Sequence, residues 1–81
     1  MAFVYILKSC DFNITYTGST NDIERRFAEH NNGESSFTKR YKPWKIIYTE
    51  EYAGLSEARR REKYFKTCAG RKVIKKIMEN K

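Results

Sequence analysis

Five residues of this chain have side chains suited to phosphate chemistry: Tyr5, Tyr16, Arg26, His30 and Glu62. Arg26 and His30 stand at positions i and i+4 of a segment with a helical pattern, so they share one helix face. The guanidinium could hold a phosphate through two parallel hydrogen bonds. The imidazole could bind phosphate or move a proton near neutral pH. Together these groups are suited to the hydrolysis of a phosphate ester.

Each of these residues also has an ordinary structural explanation. Tyrosines in strands mostly belong to the core or the sheet, and a tyrosine of ordinary pKa is a poor base unless nearby cations lower that pKa. Glu62 could be an exposed helical carboxylate paired with Lys66. Arg26 could be a solvated surface residue, and His30 could be half-buried at a helix end. Residue type alone therefore does not establish a site.

The hydrophobic pattern predicts the strands that would carry the tyrosines. The apolar run Ala2 to Ser9 predicts a strand that is buried on both faces and is therefore central in its sheet. Turn residues follow at 11–13, and Ile14 to Gly18 predicts an antiparallel partner. Trp44 to Tyr52 predicts a third strand, with its side chains at 44, 46, 48 and 52 on one side and Ile47 on the other.

Capping signals and apolar spacing predict the helices. Asn21 is expected to cap a first helix that ends at Asn32-Gly33, and residues 34–43 are expected to form a basic loop. Ser56 is expected to cap a second helix, which Gly70 ends. A last helix is expected over Arg71 to Asn80. The prediction is one α+β domain over residues 1–81, with a three-stranded antiparallel sheet flanked by helices in the order ββαβαα.

The composition favours a polyanion as partner. The formal net charge is +7, from 17 Lys and Arg against 10 Asp and Glu, and cations that neutralise phosphates release counterions. Solubility alone is the alternative explanation of this charge. Two groups of basic residues are candidates for contact with nucleic acid, and each could instead be a solvated positive face. The first group is Lys39, Arg40 and Lys42, and the second is Lys66, Arg71 and Lys72.

Other protein classes are disfavoured. Two Cys and one His are too few for a four-ligand structural zinc site. A disulfide between Cys10 and Cys68 is conceivable, but nothing indicates an oxidising compartment. No apolar stretch is long enough for a membrane span, and no signal segment is present, so we expect a cytoplasmic protein without membrane contact. The sequence makes no prediction of the oligomeric state.

The order of the motifs adds a resemblance to a known family. The segments Phe3-Val4-Tyr5, Tyr16-Thr17-Gly18, Glu24 to His30 and Arg60 to Lys66 follow one another as in the GIY-YIG (URI-type) endonuclease superfamily. The ordered set is specific, although each triplet alone is weak. The resemblance covers nearly the whole chain and implies a small, stand-alone, single-domain member. Phe3 departs from the pattern, because it stands where the first signature has glycine.

The resemblance implies a role for each site residue. Tyr5 would be the general base, Tyr16 would position water or phosphate, and Gly18 would leave the backbone open to close approach at the strand end. Arg26, rather than Arg25, would hold the phosphate. Glu62 would hold one Mg²⁺ or Mn²⁺ ion, and a single carboxylate can hold magnesium because that ion keeps several waters.

The activity that the resemblance implies is metal-dependent endonucleolytic hydrolysis, leaving 3′-hydroxyl and 5′-phosphate ends. The partner would be nucleic acid, with DNA favoured over RNA, in a setting such as DNA repair or recombination. The main alternative is a non-catalytic nucleic-acid-binding module of the same fold. A third possibility is a protein-interaction adaptor that uses the same basic face.

Overall fold

The computed structural model describes residues 1–79 and contains one three-stranded antiparallel sheet of order β2-β1-β3. The strands are β1 (Ala2–Ser9), β2 (Thr15–Thr20) and β3 (Trp44–Tyr52). The predicted central position of the first strand is confirmed. Because β1 is the central strand, its side chains contribute to the hydrophobic cores on both faces of the sheet.

Side chains of β1 alternate between two hydrophobic cores. Val4 and Ile6 pack on one face with Ala58 and Phe65, while Leu7 lies on the other face in a second cluster. The first core is covered by the last two helices, and the second by the first helix and the segment before β3. The near-continuous hydrophobicity of the strand therefore has the expected cause, burial on both faces.

Four helices surround the sheet: α1 (Ile23–Asn31), α2 (Ser36–Arg40), α3 (Leu55–Phe65) and α4 (Cys68–Glu79). The α+β class and the antiparallel sheet are confirmed. The short helix α2 lies within the segment that was expected to be a loop, residues 34–43. No helix among residues 1–79 is long and apolar enough to cross a membrane. Cys10 and Cys68 are both free and exposed.

Both predicted N-caps are wrong. Asp22, not Asn21, caps α1, and its carboxylate accepts a hydrogen bond from the Arg25 backbone N–H at 3.1 Å. Gly54, not Ser56, is the cap of α3, with extended backbone and no capping side chain. In each case a good capping residue lies close by in sequence, but the position at which the chain leaves extended geometry selects the cap.

Two predictions about the strands are also corrected. Gly18 does not end the second strand, since β2 continues to Thr20. The predicted alternation of β3 fails because of an irregularity in its pairing with β1: Ile6 lies opposite Tyr48, but Leu7 lies opposite Ile46. The extra residue, Ile47, packs in the same core as Tyr48 and Tyr52, whereas Trp44 packs on the other face.

Gly70 does not break a helix, because it lies within the first turns of α4. It is buried, and a Cβ there would overlap the Tyr64 carbonyl oxygen and the Phe65 Cα. The absence of a side chain is what lets α4 approach the end of α3. The predicted last helix therefore begins earlier than Arg71, and its predicted end at Asn80 lies outside the described residues.

We expect Gly70→Ala to lower the free energy of unfolding by about 3 kcal/mol, because the overlap is with backbone that cannot rotate away. For a domain of this size the melting temperature should fall on the order of 10–20 °C. Gly54→Ala is the matched control, since a Cβ there meets nothing within 4 Å, and it should cost no more than about 1 kcal/mol. Thermal unfolding followed by circular dichroism measures both, and equal losses would contradict the packing role.

Candidate active site

Tyr5 and His30 form a buried hydrogen bond between the central strand and α1. The Tyr5 hydroxyl lies 3.0 Å from His30 Nε2, and His30 Nδ1 lies 3.0 Å from Thr38 Oγ1. Tyr5 is 3% exposed, and His30 and Thr38 are fully buried. Trp44 Nε1 donates to the Thr38 carbonyl at 2.8 Å. The sequence did not point to Thr38, because its helix was expected to be a loop.

Burial sets the protonation of this pair. It lowers the pKa of His30 to about 4, and the nearby Arg26 charge adds to that effect. It also raises the pKa of Tyr5 to about 12, although the Arg26 guanidinium acts in the opposite direction. Burial therefore outweighs the Arg26 charge, and the Tyr5 pKa lies above its ordinary value in the protein without a bound ion. At neutral pH the imidazole is neutral and the phenol keeps its proton.

The structure places Tyr16 and Gly18 on β2 beside this pair. The Tyr16 ring centroid is 6.4 Å from that of Tyr5 and 4.9 Å from that of His30. Gly18 lies directly opposite Tyr5 in the sheet, and a Cβ on Gly18 would come within 2.6 Å of Tyr5 Cζ. Gly18 is therefore required because the Tyr5 ring packs directly against its Cα. This differs from the expected role at a strand end, since Gly18 lies within β2.

Phe3 occupies the place of the signature glycine two strand positions before Tyr5. It is partly buried and lies between Thr20 of β2 and Glu51 of β3 in the register of the sheet. Alternation puts its side chain on the Tyr5 face. The substitution therefore adds a bulky ring to that face of β1 without removing any of the polar groups around Tyr5.

Arg26 supplies positive charge next to the tyrosines. Its Nη1 lies 2.8 Å from Glu29 Oε1, and this carboxylate raises the pKa of Arg26 further above its ordinary range, with smaller contributions from Tyr5 and Tyr16. The Arg26 side chain is 33% exposed, whereas that of the neighbouring Arg25 is 60% exposed. The sequence did not identify Glu29 as the partner, although their i, i+3 spacing could have indicated it.

Glu62 reaches the same region from the other side of the sheet. Its helix, α3, packs on the face of Val4 and Ile6, but its Oε1 accepts a hydrogen bond from Ser19 Oγ at 2.6 Å on the edge strand. Its negative charge contributes to the raised pKa of Tyr5. The site thus extends around the edge of β2, and Ser19, which follows Gly18, is a contact that the sequence did not reveal.

Glu62 is the candidate metal ligand of this site. Within residues 1–79, no group of three or more His, Cys, Asp or Glu side chains is arranged to hold an ion. The Glu62 side chain is 23% exposed, and its Oε2 is paired with Lys66 Nζ at 2.9 Å. One partly exposed carboxylate fits an ion that binds through one or two carboxylates and keeps its waters, which is typical of Mg²⁺. Lys66 would have to give up its bond to Glu62.

Every basic residue proposed as a nucleic-acid contact is exposed: Lys39, Arg40, Lys42, Lys66, Arg71 and Lys72. Lys39 and Arg40 end α2, the helix that supplies Thr38. Lys66 and Arg71 line a groove beside Tyr16, together with Lys75. His30 is fully buried and both of its ring nitrogens are hydrogen bonded within the protein, so neither is free for a phosphate in this structure.

Comparison with known proteins identifies the family of this chain. The model of the GIY-YIG catalytic domain matches residues 1–75. UPF0213 proteins of Staphylococcus haemolyticus and Staphylococcus saprophyticus are 41% and 40% identical over 78 residues, which is 95% of this chain and 94% of each relative. The solution NMR structure of a UPF0213 protein from Bacillus halodurans is similar with a TM-score of 0.56 at 31% identity, over 96% of this chain and 84% of that one. The chain belongs to the GIY-YIG catalytic domain family.

Proposed function

We propose that this protein is a metal-dependent endonuclease that hydrolyses phosphodiester bonds of nucleic acid, DNA rather than RNA, in the cytoplasm. The observation that carries the proposal is the setting of the Tyr5 hydroxyl. It is hydrogen bonded to a neutral histidine, and the charges of both Arg26 and Glu62 act on its pKa. A proton acceptor, a cation suited to phosphate and a carboxylate suited to a metal ion therefore all act on one hydroxyl group.

Tyr5 would act through His30 rather than as a tyrosinate. With a pKa of about 12, about one Tyr5 in 10⁵ is ionised at pH 7. Thr38 Oγ1 donates to the Ser35 carbonyl, so it can accept from His30 Nδ1–H, and this leaves His30 Nε2 to accept the Tyr5 proton. In the proposed step the water oxygen bonds to phosphorus as the bond from phosphorus to the 3′-oxygen breaks. The water gives a proton to the Tyr5 oxygen while Tyr5 gives its own proton to His30, and the leaving 3′-oxygen takes a proton from solvent.

Arg26 would bind the scissile phosphate. Its guanidinium already holds one carboxylate, Glu29, at 2.8 Å, and a phosphate offers the same arrangement of paired oxygens with more charge. Tyr16 is more exposed than Tyr5 and its ring lies against His30, so it can position the water or a phosphate oxygen. These contacts matter most if they strengthen as negative charge builds on the phosphoryl oxygens.

Glu62 would hold a divalent cation, Mg²⁺ or Mn²⁺. When bound, that ion supplies a Lewis acid and a carrier for water, and it would offset the Glu62 charge that now raises the pKa of Tyr5. Ser19 would keep the carboxylate oriented through its 2.6 Å hydrogen bond. Lys66, once released from Glu62, would be available to bind a phosphate.

We expect Glu62→Gln to abolish metal-dependent nicking, because the amide has no negative charge to bind the cation. The amide oxygen can still accept the hydrogen bond from Ser19, so the local structure should be kept. Arg26→Ala should slow nicking by about 10²–10³-fold, the usual loss of one transition-state donor. Glu57→Gln is the matched control, since it removes an exposed carboxylate from the same helix, and it should cleave like wild type. The measurement is nicking of labelled DNA and RNA with Mg²⁺, with Mn²⁺ and with neither.

A non-catalytic nucleic-acid-binding module is the second candidate. It is favoured by the burial of Tyr5 and by the pairing of Arg26 and Glu62 with other side chains. The same assay separates the two functions. Wild-type protein that binds DNA and RNA but cleaves neither with any metal would establish the binding module, and undiminished cleavage by Glu62→Gln would remove Glu62 from the metal site.

We expect the buried His30 to make stability depend on pH in a defined window. Its pKa falls from 6.5 in the unfolded chain to about 4 in the folded protein, so between these values the unfolded chain binds more protons. The stabilisation is complete above about pH 6.5 and is lost progressively toward pH 4, by about 3 kcal/mol.

His30→Gln tests both this pH dependence and the proposed proton transfer from Tyr5 to His30. An amide can accept the Tyr5 hydrogen bond but does not titrate, so the free energy of unfolding of the variant should fall less between pH 6.5 and 4. Its nicking rate at pH 7.5 should also fall, because the amide cannot take a proton. Identical urea-denaturation profiles for the two proteins across this window would show that His30 is not buried as a neutral group.

We expect binding to nucleic acid to weaken strongly with salt. If about six phosphates are contacted, log K should fall against log salt with a slope of about −5 on duplex DNA. Arg71→Gln should reduce the slope by about 1 without changing sequence preference. Fluorescence anisotropy at several salt concentrations measures the slope, and a flat response would favour the adaptor function instead.

A further inference from the structure

A groove of about 550 Å³ runs along the free edge of β2, next to the candidate active site. Three elements enclose it: the edge strand, α2, and the region where α3 meets α4. Its lining residues are Thr15, Tyr16, Thr17, Phe37, Phe65, Lys66, Arg71, Ile74, Lys75 and Met78. The volume lies within the usual range for small-ligand pockets.

The lining combines apolar surface with positive charge. Phe65 and Ile74 are buried at 1% and 8% exposure, whereas Phe37 is 45% exposed and its ring lies 5.9 Å from that of Tyr16. All charged residues of the lining are cations, and no carboxylate is among them. β2 is an edge strand, so its outer backbone N–H and C=O groups are not used by the sheet.

We propose that this groove accepts one unpaired nucleobase of the substrate, so that the preferred substrate carries an unpaired nucleotide beside the cut rather than continuous duplex. The inference rests on the proposed function and names its substrate class. The base would stack on Phe37, and its neighbouring phosphates would contact the rim cations. The free edge of β2 would supply hydrogen-bonding groups to the edge of the base.

Two contacts make the groove continuous with the site. Tyr16 lines the groove and also lies 4.9 Å, centroid to centroid, from His30. Lys66 lines the groove and also binds Glu62 at 2.9 Å. A nucleotide held there would therefore place an adjoining phosphate toward the candidate metal-binding carboxylate.

The charge pattern separates a nucleobase from other occupants. A peptide strand or a second copy of this chain could add to the edge of β2. A second copy carries the same net charge of +7, and a neutral peptide would leave the three cations of the lining without a partner. Intact duplex does not fit, because its bases are paired and stacked and cannot enter a groove between helices. An unpaired nucleotide provides both the flat apolar face and the charge that the lining matches.

The test compares two single-stranded oligonucleotides of equal length and phosphate number, one with bases and one abasic. Binding to wild-type protein is measured by fluorescence anisotropy in EDTA, so that no cleavage occurs. We expect the base-carrying strand to bind about 5- to 100-fold more tightly, the range for one stacked base. Phe37→Ala should remove most of that difference.

Phe12→Ala is the matched control, because Phe12 is 48% exposed but lies outside the groove, edge-on to Tyr41. It should keep the preference for bases. A second measurement needs no variant: a single 2-aminopurine in an otherwise abasic strand should restore tight binding to wild-type protein and lose fluorescence as it stacks.

Three results would overturn the proposal. They are equal binding of the two strands, an equal effect of Phe12→Ala and Phe37→Ala, and a dimer that Phe37→Ala dissociates while binding of the strands is unchanged.

Nicking assays keep this proposal distinct from the proposed function. A preference for bases without any metal-dependent cleavage would refute hydrolysis alone, and cleavage without a preference for bases would refute the groove alone.

Discussion

The burial of the Tyr5–His30 hydrogen bond is the constraint on which the rest of the structure depends. A polar group without a partner in a small core is costly, so a buried imidazole needs a partner for each of its nitrogens. Tyr5 on β1 provides one and Thr38 on α2 provides the other. Within residues 1–79, no buried side-chain nitrogen or oxygen lacks a hydrogen-bond partner. The short helix α2 therefore completes the site by supplying Thr38.

A second polar network fixes the helix on the opposite face. Glu50 of β3 accepts two hydrogen bonds from Arg61 of α3, at 3.0 and 3.2 Å, and one each from Tyr48 and Tyr52. Burial alone would raise the pKa of Glu50, but these hydrogen bonds lower it below its ordinary value. Arg61 immediately precedes Glu62, so the network that holds Arg61 to the sheet also sets where the Glu62 carboxylate meets β2.

The sequence predicted the parts of this protein that depend on local pattern. Both outer strands and the central one were recognised from hydrophobicity, and the resemblance to the GIY-YIG superfamily implied that residues of β1, β2, α1 and α3 belong to one site. Features that depend on tertiary contacts were missed. The irregularity at Ile47 changed which side chains of β3 face each side of the sheet. Close packing at Gly70 let α4 continue where the glycine suggested a helix end. The helix α2 formed in a polar segment that was expected to be a loop. The partners Ser19 and Thr38 were missed for the same reason, because each is defined by a neighbour that only the folded chain brings near. Glu29 is different, since its i, i+3 spacing from Arg26 is local and could have indicated the pair.

The site divides into a part that cannot exchange partners and a part that can. Tyr5, His30 and Thr38 are buried, and breaking their hydrogen bonds would leave groups unsatisfied in the core. The ion pairs at Arg26 and Glu62 are partly exposed, and such pairs contribute no more than about 1 kcal/mol. A phosphate at Arg26 or a cation at Glu62 can therefore replace the resident partner at small cost. The fold holds the buried hydrogen bonds of Tyr5, His30 and Thr38 in place and leaves the partly exposed charges of Arg26 and Glu62 ready to change partners.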